Sequence, residues 1–135
     1  MALLTRILFW GYVLMLVGVG ASGIFIADWE LRRIFHVPLS DMDALQRATI
    51  LNQYRFLKSL EFAFGLFSLL CREEIFRVAK FKWIFLIGVF GGVGARSLAI
   101  VLDGVPHWVF LVFLALELAT GVLVLLQSRS SLASA

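Results

Sequence analysis

The chain has 135 residues, of which 61% are hydrophobic and 16% are charged, and its formal net charge is +3. A soluble domain of this length needs a larger polar share to cover its surface, so the composition excludes an ordinary soluble protein. The basic residues are spread over several segments, whereas a nucleic-acid-binding protein concentrates them on one face. Cys71 is the single cysteine, so no intrachain disulfide can form.

Four apolar blocks make up most of the chain, at about 7–27, 50–70, 83–102 and 107–127. Each block has about 20 residues, the length of helix that crosses a hydrocarbon core of roughly 30 Å. The first block continues through Ala27, beyond the apolar core of a typical signal peptide, so we expect it to remain as a helix. The sequence therefore predicts an all-α fold, with one four-helix transmembrane bundle over residues 1–135.

Basic residues near the ends of the blocks predict the orientation. Six lie in the N-terminal segment, the 71–82 connection and the C-terminal tail: Arg6, Arg72, Arg77, Lys80, Lys82 and Arg129. The opposite side has three: Arg32, Arg33 and Arg47. Because basic residues concentrate on the cytoplasmic side of membrane proteins, we expect both termini in the cytoplasm.

The connection over residues 28–49 is the longest segment between two apolar blocks. Its first part follows Ala27 and has the sequence DWELRRIFHV, in which apolar and charged residues alternate. This pattern predicts a short interfacial helix ended by Pro38. Ser40 is then the predicted N-cap of the second membrane helix, which we expect to begin near Asp41.

Charged residues interrupt three of the apolar blocks. Arg55, Lys58 and Glu61 are spaced by three residues and so share one helix face. Counted from the predicted outer boundaries, Arg55 and Arg96 lie ~8–9 Å deep at 1.5 Å per residue. Glu61 and Glu117 lie ~15–17 Å deep. Because charges at membrane depth normally face protein, water or each other, the sequence predicts one buried polar cluster between the second, third and fourth helices.

Three interpretations of this cluster are open. In a structural network, the two glutamates neutralise Arg55, Lys58 or Arg96 and fix the helix register. In a functional pocket, Arg55 and Arg96 bind an anionic headgroup or carboxylate while a glutamate takes up protons. In the third, the charges of the second helix lie at headgroup level. The predicted cluster comprises Asn52, Arg55, Lys58, Glu61, Arg96 and Glu117.

Small residues form a second pattern in the first and third blocks. Gly88, Gly91 and Gly92 lie in the third block, and Gly18 and Ser22 lie in the first. Small residues at such spacing let membrane helices approach closely. We expect them to serve helix packing, either within the chain or at an interface with another subunit or a second copy.

Signals for catalysis or cofactor binding are weak. His36 and His107 are the only histidines, and they lie near the predicted outer boundaries without tight metal-ligand spacing. Ser97 has no GxSxG context, and no nucleophile–base pair is apparent. We therefore expect a non-enzymatic protein with no metal and no cofactor.

Three segments, NQYRF, GGVGARSLAIVLDGVP and ALELATG, together resemble a family of small bacterial four-helix membrane proteins, the DUF4345 type. A looser similarity links the chain to DoxX-like proteins. The resemblance covers roughly residues 5–127 and implies a bacterial inner-membrane location without an established chemistry. Lys58 and Glu61 stand where we expect small or neutral residues. The matching landmarks are Asn52, Arg55, Phe56, Arg96, Ser97, Gly104, Pro106 and Glu117.

Two functions follow as hypotheses. The first is an accessory or assembly subunit of a larger bacterial membrane complex, since the chain is small, glycine-rich in its helices and without a catalytic constellation. The alternative is a small carrier or binding protein for an anionic or protonatable ligand, which would use Arg55, Arg96 and Glu117. The expected partners are the lipid bilayer and other membrane subunits or copies of the chain, with no nucleic acid.

Overall fold

The structure is a computed structural model that describes residues 2–132, with side chains from Leu3 to Gln127. Over this range the chain is all-helical, with no strand, which confirms the predicted fold class. The side chain of Arg129, which was counted for the orientation, lies outside the described side chains. The helices are α1 (Ala2–Arg33), α2 (Ala44–Leu70), α3 (Arg72–Arg77), α4 (Ala79–Asp103) and α5 (Trp108–Leu132).

Within the described residues, three helices are long and apolar enough to cross a bilayer. They are α1 over Leu3–Arg33, α4 over Ala79–Asp103 and α5 over Trp108–Gln127. Such helices are the mark of an integral membrane protein. The 27 residues of α2 could span about 40 Å. Its apolar stretch, however, contains the charged stripe formed by Arg55, Lys58 and Glu61. A fourth span through α2 therefore stays a prediction.

The chain packs into two compact units. One unit contains the described residues up to Val13 together with those from Ser68 onward, and the other contains Leu14–Phe67. In the first unit, α5 packs along α4, and α3 packs against α4. Its buried apolar side chains include Phe9, Ile75, Phe85, Val89 and Val124. Those of the second unit include Leu16, Ala27, Leu31 and Leu39.

The connection between α1 and α2 differs from its prediction. The expected interfacial helix is the last two turns of α1, set off by non-helical backbone at Ile26 (φ −104°, ψ 24°). Ala27 and Leu31 are buried one turn apart, so a packed helical face continues past that point. The helix ends before Pro38, because His36 adopts a positive φ of 56° that an α-helix does not allow.

Asp43 is the N-cap of α2, and the prediction of Ser40 was wrong. The main-chain N–H of Gln46 donates to Oδ1 of Asp43 at 2.8 Å, whereas the hydroxyl of Ser40 donates to Oδ1 of Asp41 at 3.1 Å. Asp43 and Gln46 have the spacing of a capping box. The sequence did not discriminate between them because serine and aspartate cap helices about equally well.

Asp43→Ala is expected to lower the free energy of unfolding by about 1 kcal/mol, since it leaves the N–H of Gln46 without its acceptor. Asp41→Ala removes the same charge from the same segment and should change stability by less than about 0.5 kcal/mol. Both can be measured by thermal unfolding in a mild detergent. Equal losses from the two variants would show that charge, and not the cap, matters here.

Candidate functional site

Four ionisable side chains form a connected line between α2 and the second half of α1. Nζ of Lys58 donates to Oε2 of Glu61 at 2.8 Å, and the two side chains are 3% and 15% exposed. The same ammonium lies 5.3 Å from the centre of the Tyr54 ring. The Tyr54 hydroxyl donates to Oε2 of Glu30 at 2.7 Å. We refer to Glu30, Tyr54, Lys58 and Glu61 as the α1–α2 network.

Helical spacing explains why these residues meet. Tyr54, Lys58 and Glu61 follow one another at four and three residues, which places them on one face of α2. Glu30 is only 7% exposed and reaches this face from α1. Removing charged groups from water is costly unless they are paired and hydrogen-bonded. The Lys58–Glu61 pair meets that requirement for both of its charges, and the Tyr54 hydroxyl donates to Glu30.

Two glycines of α1 lie directly against α2, Gly23 beside the Lys58 side chain and Gly20 beside the main chain. A Cβ at Gly23 would lie 2.5 Å from Cδ of Lys58, and one at Gly20 would lie 2.6 Å from the main-chain nitrogen of Phe62. On the other helix, a Cβ at Gly65 would lie 2.9 Å from Cγ2 of Val17. The backbones of α1 and α2 therefore approach as closely as small residues permit in membrane helix pairs.

A second ion pair joins α4 to α5 in the other unit. Nε of Arg96 donates to Oε2 of Glu117 at 3.1 Å, and the side chains are 25% and 6% exposed. The guanidinium carbon of Arg96 lies 5.8 Å from the ring centre of Phe110 and 5.9 Å from that of Phe113, within the range of cation–π attraction. Gly92 lies beside this α4–α5 pair, and a Cβ there would lie 3.4 Å from Oε2 of Glu117, an ordinary contact distance.

The structure distributes the predicted polar cluster over these two groups and the α2 surface. Four of its members lie in the α1–α2 network or the α4–α5 pair. Arg55 is exposed on α2, and its Nε donates to the main-chain oxygen of Ile24 at 3.2 Å. Asn52 is exposed on the same helix. The convergence of all six residues on one cluster stays a prediction.

Sequence reasoning missed Glu30 and Tyr54. Glu30 fell in the segment assigned to the membrane surface, where a charged residue needs no partner. One signal could have found Tyr54, which lies one turn before Lys58 on the charged face of α2. The buried face of α1 that carries Glu30 is known only from the structure.

The predicted small residues are mostly exposed. Within the described chain, no atom beyond the neighbouring residues and the backbone of the same helix lies within 4 Å of a Cβ built at Gly18 or Gly91, and Gly88 is exposed. The hydroxyl of Ser22 donates to the main-chain oxygen of Val19 at 3.2 Å on an exposed face. Gly11 and Gly94 have the same open space. We refer to Gly11, Gly18, Gly91 and Gly94 as the open glycines.

Comparison with known proteins gives one family. The model of a domain of unknown function, DUF4345, matches residues 4–127. No curated protein and no solved structure gives a significant match. The family resemblance is thus confirmed over the whole range in which it was expected, and the similarity to DoxX-like proteins stays a prediction.

Proposed function

Because the chain belongs to the DUF4345 family, a domain of unknown function, we propose its role from the arrangement of its helices. The protein is a non-enzymatic integral membrane protein that packs against other membrane helices, as an accessory or assembly subunit of a larger bacterial inner-membrane complex. It crosses the membrane four times and keeps both termini in the cytoplasm.

The open glycines carry this proposal. Glycine costs a helix about 1 kcal/mol relative to alanine, and no contact within the described chain offsets that cost at these positions. In α1, Gly11 and Gly18 lie about two turns apart, and in α4, Gly91 and Gly94 lie one turn apart. Flat surfaces of this kind let another helix approach closely, and such packing drives helix association in lipid.

The ion pairs support a structural role for the charges over the carrier alternative. The cations of Lys58 and Arg96 both hold carboxylates of the chain itself. A ligand anion at Arg96 would therefore have to share the guanidinium with the carboxylate of Glu117. Paired charges of this kind fix the register of the helices that carry them.

Gly91→Leu is expected to weaken association at least about fivefold, since overpacking a helix contact costs about 1–3 kcal/mol. The measurement is the mass of the tagged protein in a mild detergent, after extraction from its native membrane, with subunits counted by native mass spectrometry. Ala115→Leu is the matched control, because it adds similar bulk at an exposed position of α5. A wild-type chain that is purely monomeric, or variants that lose partners equally, would contradict the proposal.

A further inference from the structure

A cavity of about 330 Å³ lies between the first turns of α1 and the short helix α3, within one compact unit. It does not involve the α1–α2 network or the α4–α5 pair. We refer to it as the basic cavity. Its lining includes Arg6, Phe9, Arg72, Glu73, Phe76 and Arg77.

The charges of the basic cavity favour an anion. Three guanidinium groups face a single carboxylate, that of Glu73. Glu73 and Arg77 are paired at 3.7 Å, but their side chains are 62% and 79% exposed, so the pair is loose and well hydrated. Arg72 donates to the main-chain oxygen of Leu69 at 3.4 Å, a contact that leaves most of its five N–H groups available for a ligand. The planar fork of arginine matches the geometry of phosphate.

One wall of the cavity is apolar. Phe9 is 1% exposed, and its ring centre lies 5.1 Å from that of Phe76 in an edge-on arrangement. Trp10 also lines the cavity and is 39% exposed. On the same helix, Leu3 and Ile7 are 73% and 57% exposed. A cationic rim beside an apolar wall suits a ligand with an anionic head and a hydrocarbon tail better than a hydrated inorganic ion.

The cavity lies at the ends of two candidate membrane spans, which is the depth of the lipid headgroups. Arg6 lies at the start of the candidate span Leu3–Arg33, and α3 directly precedes the candidate span Ala79–Asp103. Under the predicted orientation this end of the helices faces the cytoplasm, where anionic lipids give the leaflet a negative surface. Basic pockets between membrane helices at this level are suited to lipid headgroups.

We propose that the basic cavity binds the phosphate of an anionic phospholipid. Arg6 and Arg72 contact the phosphate oxygens, while the acyl chains pass along the aromatic wall formed by Phe9 and Phe76. None of the open glycines lines the cavity, so either proposal can fail without the other.

The test uses the full chain in a nonionic detergent, titrated with short-chain phosphatidylglycerol and followed by native mass spectrometry. Arg6→Gln/Arg72→Gln is expected to weaken binding on the order of 20-fold, because each arginine near an anionic lipid contributes about a fivefold gain in affinity. Lys80→Gln is the control, since it removes one exposed cation beside α3 that does not line the cavity. It should change the affinity by less than about twofold.

Glu73→Gln is expected to strengthen lipid binding, a result that a loss of folding cannot produce. It removes the carboxylate from the lining, so phosphatidylglycerol should bind about fivefold more tightly. Unchanged or weaker binding by Glu73→Gln would overturn the proposal, as would an equal loss in Lys80→Gln and the arginine double variant. Equal affinity for phosphatidylcholine would overturn the anionic selectivity. Displacement by millimolar inorganic phosphate would overturn the lipid assignment in favour of free phosphate.

Discussion

Replacing Gly20 with alanine is expected to lower the free energy of unfolding by about 3 kcal/mol, the upper end of the cost of overpacking. A Cβ at this position would lie 2.6 Å from the main-chain nitrogen of Phe62 and 2.9 Å from its Cα. Main-chain atoms of a helix cannot rotate away as side chains do. The added methyl group therefore has to push α1 and α2 apart along their contact.

Gly23→Ala should be milder, at about 1–2 kcal/mol. The nearest atoms there belong to the Lys58 side chain, with Cδ at 2.5 Å and Cγ at 2.6 Å from the built Cβ. That side chain is flexible in principle, but its ammonium is held by Glu61 at 2.8 Å. It can move aside only by straining the buried ion pair.

Gly18→Ala is the matched control, because its added methyl group has no described atom within 4 Å beyond the neighbouring residues and the backbone of α1 itself. It should be neutral, or stabilising by up to about 1 kcal/mol, since alanine is the better helix former. All three variants can be compared by thermal unfolding of the purified chain in one detergent, without partner subunits. If Gly20→Ala is no less stable than Gly18→Ala, the close contact of α1 with α2 is wrong.

Arg96→Leu is expected to cost about 3 kcal/mol, the lower end of the range for breaking a buried ion pair. It takes the guanidinium away from Glu117, whose side chain is 6% exposed. Glu117→Gln should cost only about 1 kcal/mol, because the amide oxygen still accepts a hydrogen bond from Arg96. Arg33→Leu, on an exposed cation at the end of α1, should stay within about 0.5 kcal/mol of the wild type.

The double variant Arg96→Leu/Glu117→Leu separates the structural interpretation from the carrier alternative. Apolar replacement of both partners of a buried ion pair is often neutral, so the double variant should regain most of the stability lost by Arg96→Leu. Stability can be followed by thermal unfolding. The carrier alternative can be followed by the binding or flux of an anionic ligand in vesicles. A stable Arg96→Leu protein that loses binding or flux would contradict the structural interpretation and favour the carrier.

The positions of the long apolar helices were predicted well, because they follow from the length and composition of each apolar block. The blocks at 83–102 and 107–127 correspond to α4 (Ala79–Asp103) and α5 (Trp108–Leu132). Apolar length is a local property, so it can be read without knowing any contact. The short helix α3 was missed, because its charged residues resembled an ordinary basic connection.

The contacts of the candidate site could not be predicted as well. Gly18 and Gly20 lie two residues apart on α1, yet only Gly20 meets α2 in the structure. In a soluble helix, the polar face would reveal which side is buried. A membrane helix is apolar on the lipid side and on the protein side alike, so its rotation about its axis leaves little trace in the sequence. The pairing of Arg96 with Glu117 was predicted only as one of several options, because either glutamate could neutralise Arg55, Lys58 or Arg96.

The charged stripe of α2 has a consequence for biogenesis. A lysine or arginine at the centre of an inserting helix costs about 2.5–3.5 kcal/mol, so α2 is a poor substrate for insertion alone. Beside α1, the Lys58 stem lies against Gly23, its charge is matched by Glu61, and Tyr54 is joined to Glu30. If α2 spans the bilayer, these contacts have to form before or during its release from the translocon. The two helices then enter the membrane as one hairpin, and α1 shields the charges of α2 from lipid on the way in.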